Sequence, residues 1–302
     1  RMLTVNKYAA IDIGSNAIRL LITTIVEESG KPAQFKKTSL VRVPIRLGED
    51  VFTNGFVSSF NIIRLRDTMK AFKLLMKTHG VKVYKACATS AMREATNTEE
   101  ILKEIFASSN IDIEVIDGQL EAILIASTNL KEYIQPNKTY LFVDVGGGST
   151  EFSIIHDELT VASKSFKIGT IRLLRGFVVR DTWLELEEWI KEYTLNYEKV
   201  QVIGSGGNIN KIFKISRKAL GKPLTYFHLS SYYHTLKSYT YDERISKLGL
   251  NHDRADVIVP ALQIYLSSMK WSKAKHIYVP KIGLSDGIIK SMFYNKVKGN
   301  SL

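Results

Sequence analysis

The chain lacks most of the features that announce a special environment. Among its 302 residues there is one cysteine, Cys87, so no disulfide can close within the chain. The apolar strand-like text around it, "VYKACA", predicts a buried, inert thiol, and such usage fits a reducing cytoplasm. No apolar run reaches the roughly 20 residues that span a bilayer, so no membrane partner is expected. The first apolar stretch, "YAAIDIG", is interrupted by an aspartate and does not have the layout of a signal peptide. The six histidines are dispersed, without Cys or carboxylate partners at metal-binding spacing, which argues against a structural zinc site. Helix-turn-helix, zinc-finger and RNA-binding aromatic signatures are absent too, so no specific nucleic acid is expected as a partner.

What the chain does have is positive charge. Lys and Arg number 42 against 30 Asp and Glu, a formal net charge of +12, on an otherwise ordinary globular composition with 45% hydrophobic residues. That surplus favours anionic partners, and a phosphorylated small molecule or a polyphosphate chain fits as well as a nucleic acid. Lys164, Lys167, Arg172, Arg175, Lys214 and Arg217 are candidates for lining a groove for such a polymer, although a solvated basic face is the commoner origin of residues like these.

Hydrophobic periodicity divides the chain into two blocks. From Tyr8 to Ile25 the text reads strand, turn, strand, and a basic strand, "KKTSLVRVPIRLG", follows, with Pro44 marking an edge or bulge. "SSFNIIRLRDTMKAFKLLMKTHG" spaces its apolar residues as a helix, between a serine start and a glycine stop. "VKVYKACATSAM" reads as a strand, and "NTEEILKEIFASS" as a helix capped by Asn97 with acids in its first turn. "IDIEVID" and "QLEAILIASTNLKEYI" read as a strand and a helix, so the first block runs βββ-α-β-α-β-α. After the polar break "QPNK" the pattern restarts with a run of strands, a Glu-rich helix "DTWLELEEWIKEYTL", the buried strand "KVQVIGSGG" and a helix from near Asn208. Mostly helical text follows to Leu250, then "RADVIVPALQIYLSSMKW", a short strand "HIYVPK" and a closing helix through "GIIKSMFYNKV".

Each block opens with the same device, an aspartate, one spacer and a glycine turn between apolar runs: "DIGSN" at Asp12 and "DVGGGST" at Asp144, about 130 residues apart. Glycines at Gly14 and at Gly146, Gly147 and Gly148 let main-chain N–H groups approach an anion, and Ser15, Asn16, Ser149 and Thr150 add short side-chain donors. The aspartates would repel phosphate unless a cation such as Mg²⁺ stands beside them, bridging carboxylate to phosphate oxygens. Two loops of this kind facing across a cleft would grip a phosphate chain from both sides. A third turn, "IGSGGN" with Gly206 and Gly207, runs from a buried strand into a helix N-terminus, a natural anion site.

In this order, "AIDIGSNAIRL", "ATSAMREATN", "VDVGGGSTEF", "IGTIRL", "IGSGGNINKI" and "RADVIVPA" resemble the exopolyphosphatase and guanosine pentaphosphate phosphatase family, from about Ala9 to about Ile289. The resemblance implies an α/β fold of two ribonuclease-H-like domains of the actin-like ATPase type, facing across a cleft. It also implies domains at residues 1–125 and 126–285, with a closing helix at about 286–302 packed back on the first. The implied activity is Mg²⁺-dependent release of a terminal phosphate from inorganic polyphosphate or guanosine pentaphosphate. Glu121 lies where the family places the carboxylate that activates water, and Arg93 where it places a phosphate-contacting arginine. Asp12 and Asp144 match its acidic metal and phosphate-loop positions, and Gly146, Gly147, Gly148 and Ser149 match its second phosphate loop. Departures stand at Leu120, Ile123 and Ser285, where the family usually carries an acid and two arginines. Those departures keep a weakly active or non-catalytic sensor of polyphosphate or alarmone open, beside a phosphotransferase of the same superfamily. Oligomeric state is open as well; a homodimer would suit the superfamily.

Overall fold

A computed structural model describes residues 3–128, 130 and 133–302. The chain starts with three antiparallel strands, β1 (Leu3–Ile13), β2 (Ile18–Glu28) and β3 (Gln34–Val43). Pro44 stands just beyond β3, where no ladder bond is lost. Helices α1 (Leu47–Asn54) and α2 (Ser59–His79) lead to β4 (Val83–Ala88), and α3 (Ser90–Glu94), α4 (Thr98–Ser109), β5 (Ile113–Val115) and α5 (Gly118–Ala126) follow. The pattern then repeats with β6 (Thr139–Val145), β7 (Thr150–His156) and β8 (Leu159–Phe166), followed by α6 (Thr170–Leu174), α7 (Arg180–Thr194) and β9 (Val200–Ser205). Next come α8 (Gly207–Ser216), β10 (Leu224–Thr225), α9 (Tyr226–Ser238), α10 (Tyr241–Leu248), α11 (His252–Ala255), α12 (Ile258–Trp271) and β11 (His276–Tyr278). The chain ends with α13 (Leu284–Phe293) and β12 (Asn300–Ser301).

Two compact units result: Arg1–Thr128 with Leu284–Leu302, and Asn129–Gly283. The expected mixed α/β class is the one observed, with one six-stranded sheet in each unit. Both sheets share a five-strand order, β5-β4-β1-β2-β3 in the first unit and β11-β9-β6-β7-β8 in the second. In each, the first strand pairs antiparallel with the second and parallel with the fourth. The second–third strand ladder shifts register once in each unit, between Ile22 and Thr23 and between Ile154 and Ile155. The sequence repeat is therefore a repeat of topology.

The first unit's core lies where α2 and α4 meet the sheet. Ser58 caps α2 by accepting from the Asn61 N–H, and Gly80 ends it at φ 70°. Leu65, Met69, Phe72 and Met76 recur at helical spacing and are buried against Ile11, Ile13 and Leu20. In the second unit, α12 buries Ala261, Leu262, Tyr265 and Met269 against Val143, Val202 and Ile277. No helix among the described residues is long and apolar enough to cross a membrane.

Several local expectations are corrected. The strand read through "ATSAM" stops at Ala88: the Thr89 N–H makes the last ladder bond, to the Ile13 carbonyl at 3.1 Å, and the chain then turns into α3. Asn97 sits at the start of α4 without capping it. Its amide instead clips Val57, accepting from the N–H at 3.0 Å and donating to the carbonyl at 2.9 Å. The helix read through residues 119–134 ends at Ala126, and residues 129, 131 and 132 of that stretch lie outside the described residues. α1, between Pro44 and Gly55, was not expected; it is short, and its only apolar anchors are Leu47, Val51 and Phe52. α13 docks on α5 at Gly287, where a methyl group would collide with the Leu124 carbonyl.

Phe72→Ala should cost the protein about 3–5 kcal/mol, whereas Leu74→Ala, at a position 66% exposed, should stay within about 0.5 kcal/mol. Urea unfolding followed by circular dichroism checks both.

Candidate active site

In the first unit the parallel strands β1, β4 and β5 end side by side, with Ile13 opposite Ala88 and Ala88 opposite Val115. Carboxyl ends of parallel strands are where open α/β sheets place ligands. β1 ends in the Gly14–Ser15–Asn16 turn, closed by a 3.1 Å bond from the Gly14 N–H to the Ala17 carbonyl. Asp12 is 5% exposed, and one of its oxygens accepts from Arg19, opposite it on β2, at 2.9 Å. β4 ends at Thr89 and α3, which carries Arg93. Beyond β5, Asp117 caps α5, its carboxylate accepting from the Leu120 N–H at 2.7 Å. Glu121 falls in the first turn of that helix, where the positive end of the backbone dipole favours a carboxylate.

The first-turn position would ordinarily leave Glu121 solvated, but it is 7% exposed and lies 3.6 Å from Arg93. Arg93 is fixed by donating to the Ile116 carbonyl at 2.5 Å, and Ile116 is tied by its N–H to the Ala88 carbonyl at 3.0 Å. Arg93 and Glu121 are thus brought together from different strand ends.

The second unit repeats the arrangement. β6, with Asp144 as its last residue but one, leads into the Gly146–Ser149 loop, and β9, its parallel neighbour with Asp144 opposite Ser205, leads into Gly206 and Gly207. Gly206 has φ 121°, a conformation that glycine alone adopts readily. The loop's carbonyls are taken from behind. Gly146 accepts from the Thr170 N–H at 3.0 Å, Gly147 from the Ile171 N–H at 2.9 Å, and Gly148 from Arg172 Nε at 2.6 Å. With three successive carbonyls taken, and the Gly146 N–H bonded to the Ser149 carbonyl at 3.0 Å, the loop is fixed in one conformation. Ser15 Oγ and Asn208 Oδ1 are buried and make no hydrogen bond among the described residues, as expected where a ligand supplies the partner.

Sequence reasoning missed two contributors here. Glu151 stands opposite Asp144 across the β6–β7 ladder, is 2% exposed, and accepts from Ser149 Oγ at 2.8 Å and Ser165 Oγ at 2.9 Å. Its signal was its place directly after "GGGST". Arg172 was read as a groove-lining cation; it is 9% exposed and serves as a brace behind the glycine loop. Lys164, another groove candidate, pairs with Glu185 at 2.7 Å on the surface.

The donors suit a hard cation. Among the described residues no three His, Cys, Asp or Glu side chains come together as a metal cage. Mg²⁺ typically keeps its waters and takes one or two carboxylates plus substrate phosphates, so a cage is not required. Two carboxylates directly opposite each other on a ladder repel, and a cation beside Asp144 and Glu151 would relieve that. Asp12 pairs with Arg19 at 2.9 Å. Cys87, opposite Asp12 on β4, is fully buried. Burial pushes its thiol up to about 12, and Glu114, Asp12 and Glu121 add to the shift against the opposing effect of Lys85.

Twinned α/β units with such loops at their strand ends define an enzyme class that acts on phosphoryl groups. The sequence pattern of the Ppx/GppA phosphatase family matches residues 25–296, and the chain belongs to that family. It is a phosphoanhydride hydrolase. Exopolyphosphatase 1 of Mycobacterium tuberculosis is 23% identical, over 98% of this chain and 91% of its own length. A bifunctional 3-dehydroquinate synthase/phosphatase of Fusobacterium nucleatum is 28% identical over 83% of this chain, which spans only 41% of that longer protein. The crystal structure of an exopolyphosphatase from Cytophaga hutchinsonii superposes with a TM-score of 0.83 at 25% identity, covering 96% of this chain and 98% of that one. The Ppx/GppA family member of Aquifex aeolicus has the same fold, with a TM-score of 0.75 at 24% identity over 97% of this chain and 99% of its own.

Two outcomes follow from this geometry. In the native protein Cys87 should resist Ellman's reagent at about pH 8, because the thiolate that reacts is suppressed until far more alkaline pH, and it should react fully in guanidinium. Arg172→Ala should release the Gly148 carbonyl and weaken tripolyphosphate binding about tenfold, measured by calorimetry, since a hydrogen bond to a charged group contributes about 1.5–3 kcal/mol.

Proposed function

We propose that the protein is a Mg²⁺-dependent exopolyphosphatase that removes the terminal phosphate of inorganic polyphosphate by attack of a water held by Glu121. The observation carrying this reading is the buried Glu121 carboxylate beside Arg93 at the strand ends of the first unit. The exopolyphosphatases among its relatives support the substrate class, as does the net charge of +12.

Phosphoryl transfer asks little covalent chemistry of a protein and much positioning and charge stabilisation. Glu121 orients the water and accepts its proton as the oxygen–phosphorus bond forms. Arg93 offsets negative charge on the equatorial phosphate oxygens. Backbone N–H groups of the Gly14–Asn16 turn, the Gly146–Ser149 loop and the Gly206–Gly207 turn bind phosphate oxygens, with Ser15 and Ser149 hydroxyls as added donors. Asp144 with Glu151 in the second unit, and separately Asp12 in the first, are the carboxylates that would hold Mg²⁺, whose charge would neutralise phosphate oxygens and ease departure of the shortened chain. The bond broken is the terminal phosphoanhydride; orthophosphate and a polymer one unit shorter leave.

The family's name covers guanosine pentaphosphate phosphatases as well, and that substrate is the second reading. Phosphate release from long polyphosphate, tripolyphosphate and guanosine pentaphosphate should rank the polymer first by kcat/KM. Glu121→Gln should lower phosphate release by about 10²–10⁴-fold with the melting temperature unchanged. Undiminished turnover in that variant would remove Glu121 from the mechanism.

A further inference from the structure

α12 lies beneath the second unit's sheet, and most of its inward residues do nothing but fill the core. Tyr265 differs, because it carries a hydroxyl to a fully buried position. A buried phenol needs a partner, and this one donates to the carbonyl of Ser205, the last residue of β9. Val145, the last residue of β6, lies close by. A methyl group on Gly206 would come within 3.1 Å of the hydroxyl and 3.0 Å of the Val145 carbonyl, so these atoms crowd into one small space. Ser205 is fixed from its other side, where its Oγ donates to the Ile282 carbonyl at 2.6 Å.

Val145 and Ser205 are the residues from which the Gly146–Ser149 loop and the Gly206–Gly207 turn depart. We propose that Tyr265 is a positioning residue whose hydroxyl, bonded to the end of β9 and packed beside the end of β6, sets the separation of the two glycine turns that hold phosphate. This rests on reading those turns as phosphate-binding. The helix beneath the sheet thereby acts on the site without touching substrate. Burial and the nearby Asp144 charge hold the phenol's ionisation well above its ordinary range, so it remains a neutral donor wherever the enzyme works.

Tyr265→Phe removes one oxygen and keeps the ring. Its control is Tyr140→Phe. Tyr140 is equally buried, but its hydroxyl accepts from the Gln135 N–H at 3.2 Å at the opposite end of β6. Both variants lose a buried hydrogen bond, so both should melt a few degrees lower. Only Tyr265→Phe should raise KM for tripolyphosphate, and its Kd by calorimetry, about tenfold or more. Unchanged KM and Kd in Tyr265→Phe overturn the proposal. An equal loss in Tyr140→Phe overturns it too, by making the effect global, as does a Tyr265→Phe protein that does not fold while Tyr140→Phe does. A wild-type protein that neither binds nor hydrolyses tripolyphosphate overturns the phosphate reading itself, and the role of Tyr265 with it. A wild type that acts, beside an unaltered Tyr265→Phe, removes only the latter.

Discussion

In each unit the first strand is hydrogen-bonded antiparallel on one side and parallel on the other, and the parallel side governs the chemistry. Antiparallel neighbours are joined by a short turn at one end. Parallel neighbours must both finish at the same end, so the segments that leave them start together. The pairing of Ile13 with Ala88 puts the Asp12 turn beside the start of α3, and that of Asp144 with Ser205 puts one glycine turn beside another. Backbone bonds at those ends, such as Thr89 N–H to Ile13, fix the loops before any side chain contributes. Residues about 60–75 positions apart in sequence become neighbours by ladder geometry alone.

The electrostatics rest on that frame. A carboxylate as buried as Glu121 is costly unless something favours its charged form. Here the first turn of α5 and the Arg93 guanidinium both do so. Arg93 is in turn held by the backbone carbonyl of Ile116. The second unit uses a different economy of charge. Asp144 and Glu151 oppose each other on one ladder, and Glu151 accepts from the Ser149 and Ser165 hydroxyls.

Much of this was legible in the sequence, because it depended on local chemistry. The doubled Asp–x–Gly turns, the Ser58 and Gly80 boundaries of α2, and the turn that delivers Glu121 are short-range signals, and the structure has each of them. What escaped was decided at a distance. "ATSAM" continues the apolar text of β4, and the ladder ends there because its partner β1 stops at Ile13. Asn97 looked like a cap because nothing in its neighbourhood reveals the Val57 backbone it clips. Arg172 reads as a surface cation until the carbonyl of Gly148 is found beside it. Tyr265 sits in an unbroken apolar helix and looks like filler; its hydroxyl has meaning only because two strand ends meet above it.

The docking of α13 on α5 makes the first unit discontinuous, with the whole second unit inserted between its parts. During synthesis on the ribosome, the inserted unit has its complete set of strands as soon as β11 has emerged. The earlier-made unit must wait for residues beyond Leu284 before its last helix can seat. Vectorial emergence therefore favours completion in the reverse of sequence order, leaving the α5 surface around Leu124 uncovered while the nascent chain grows.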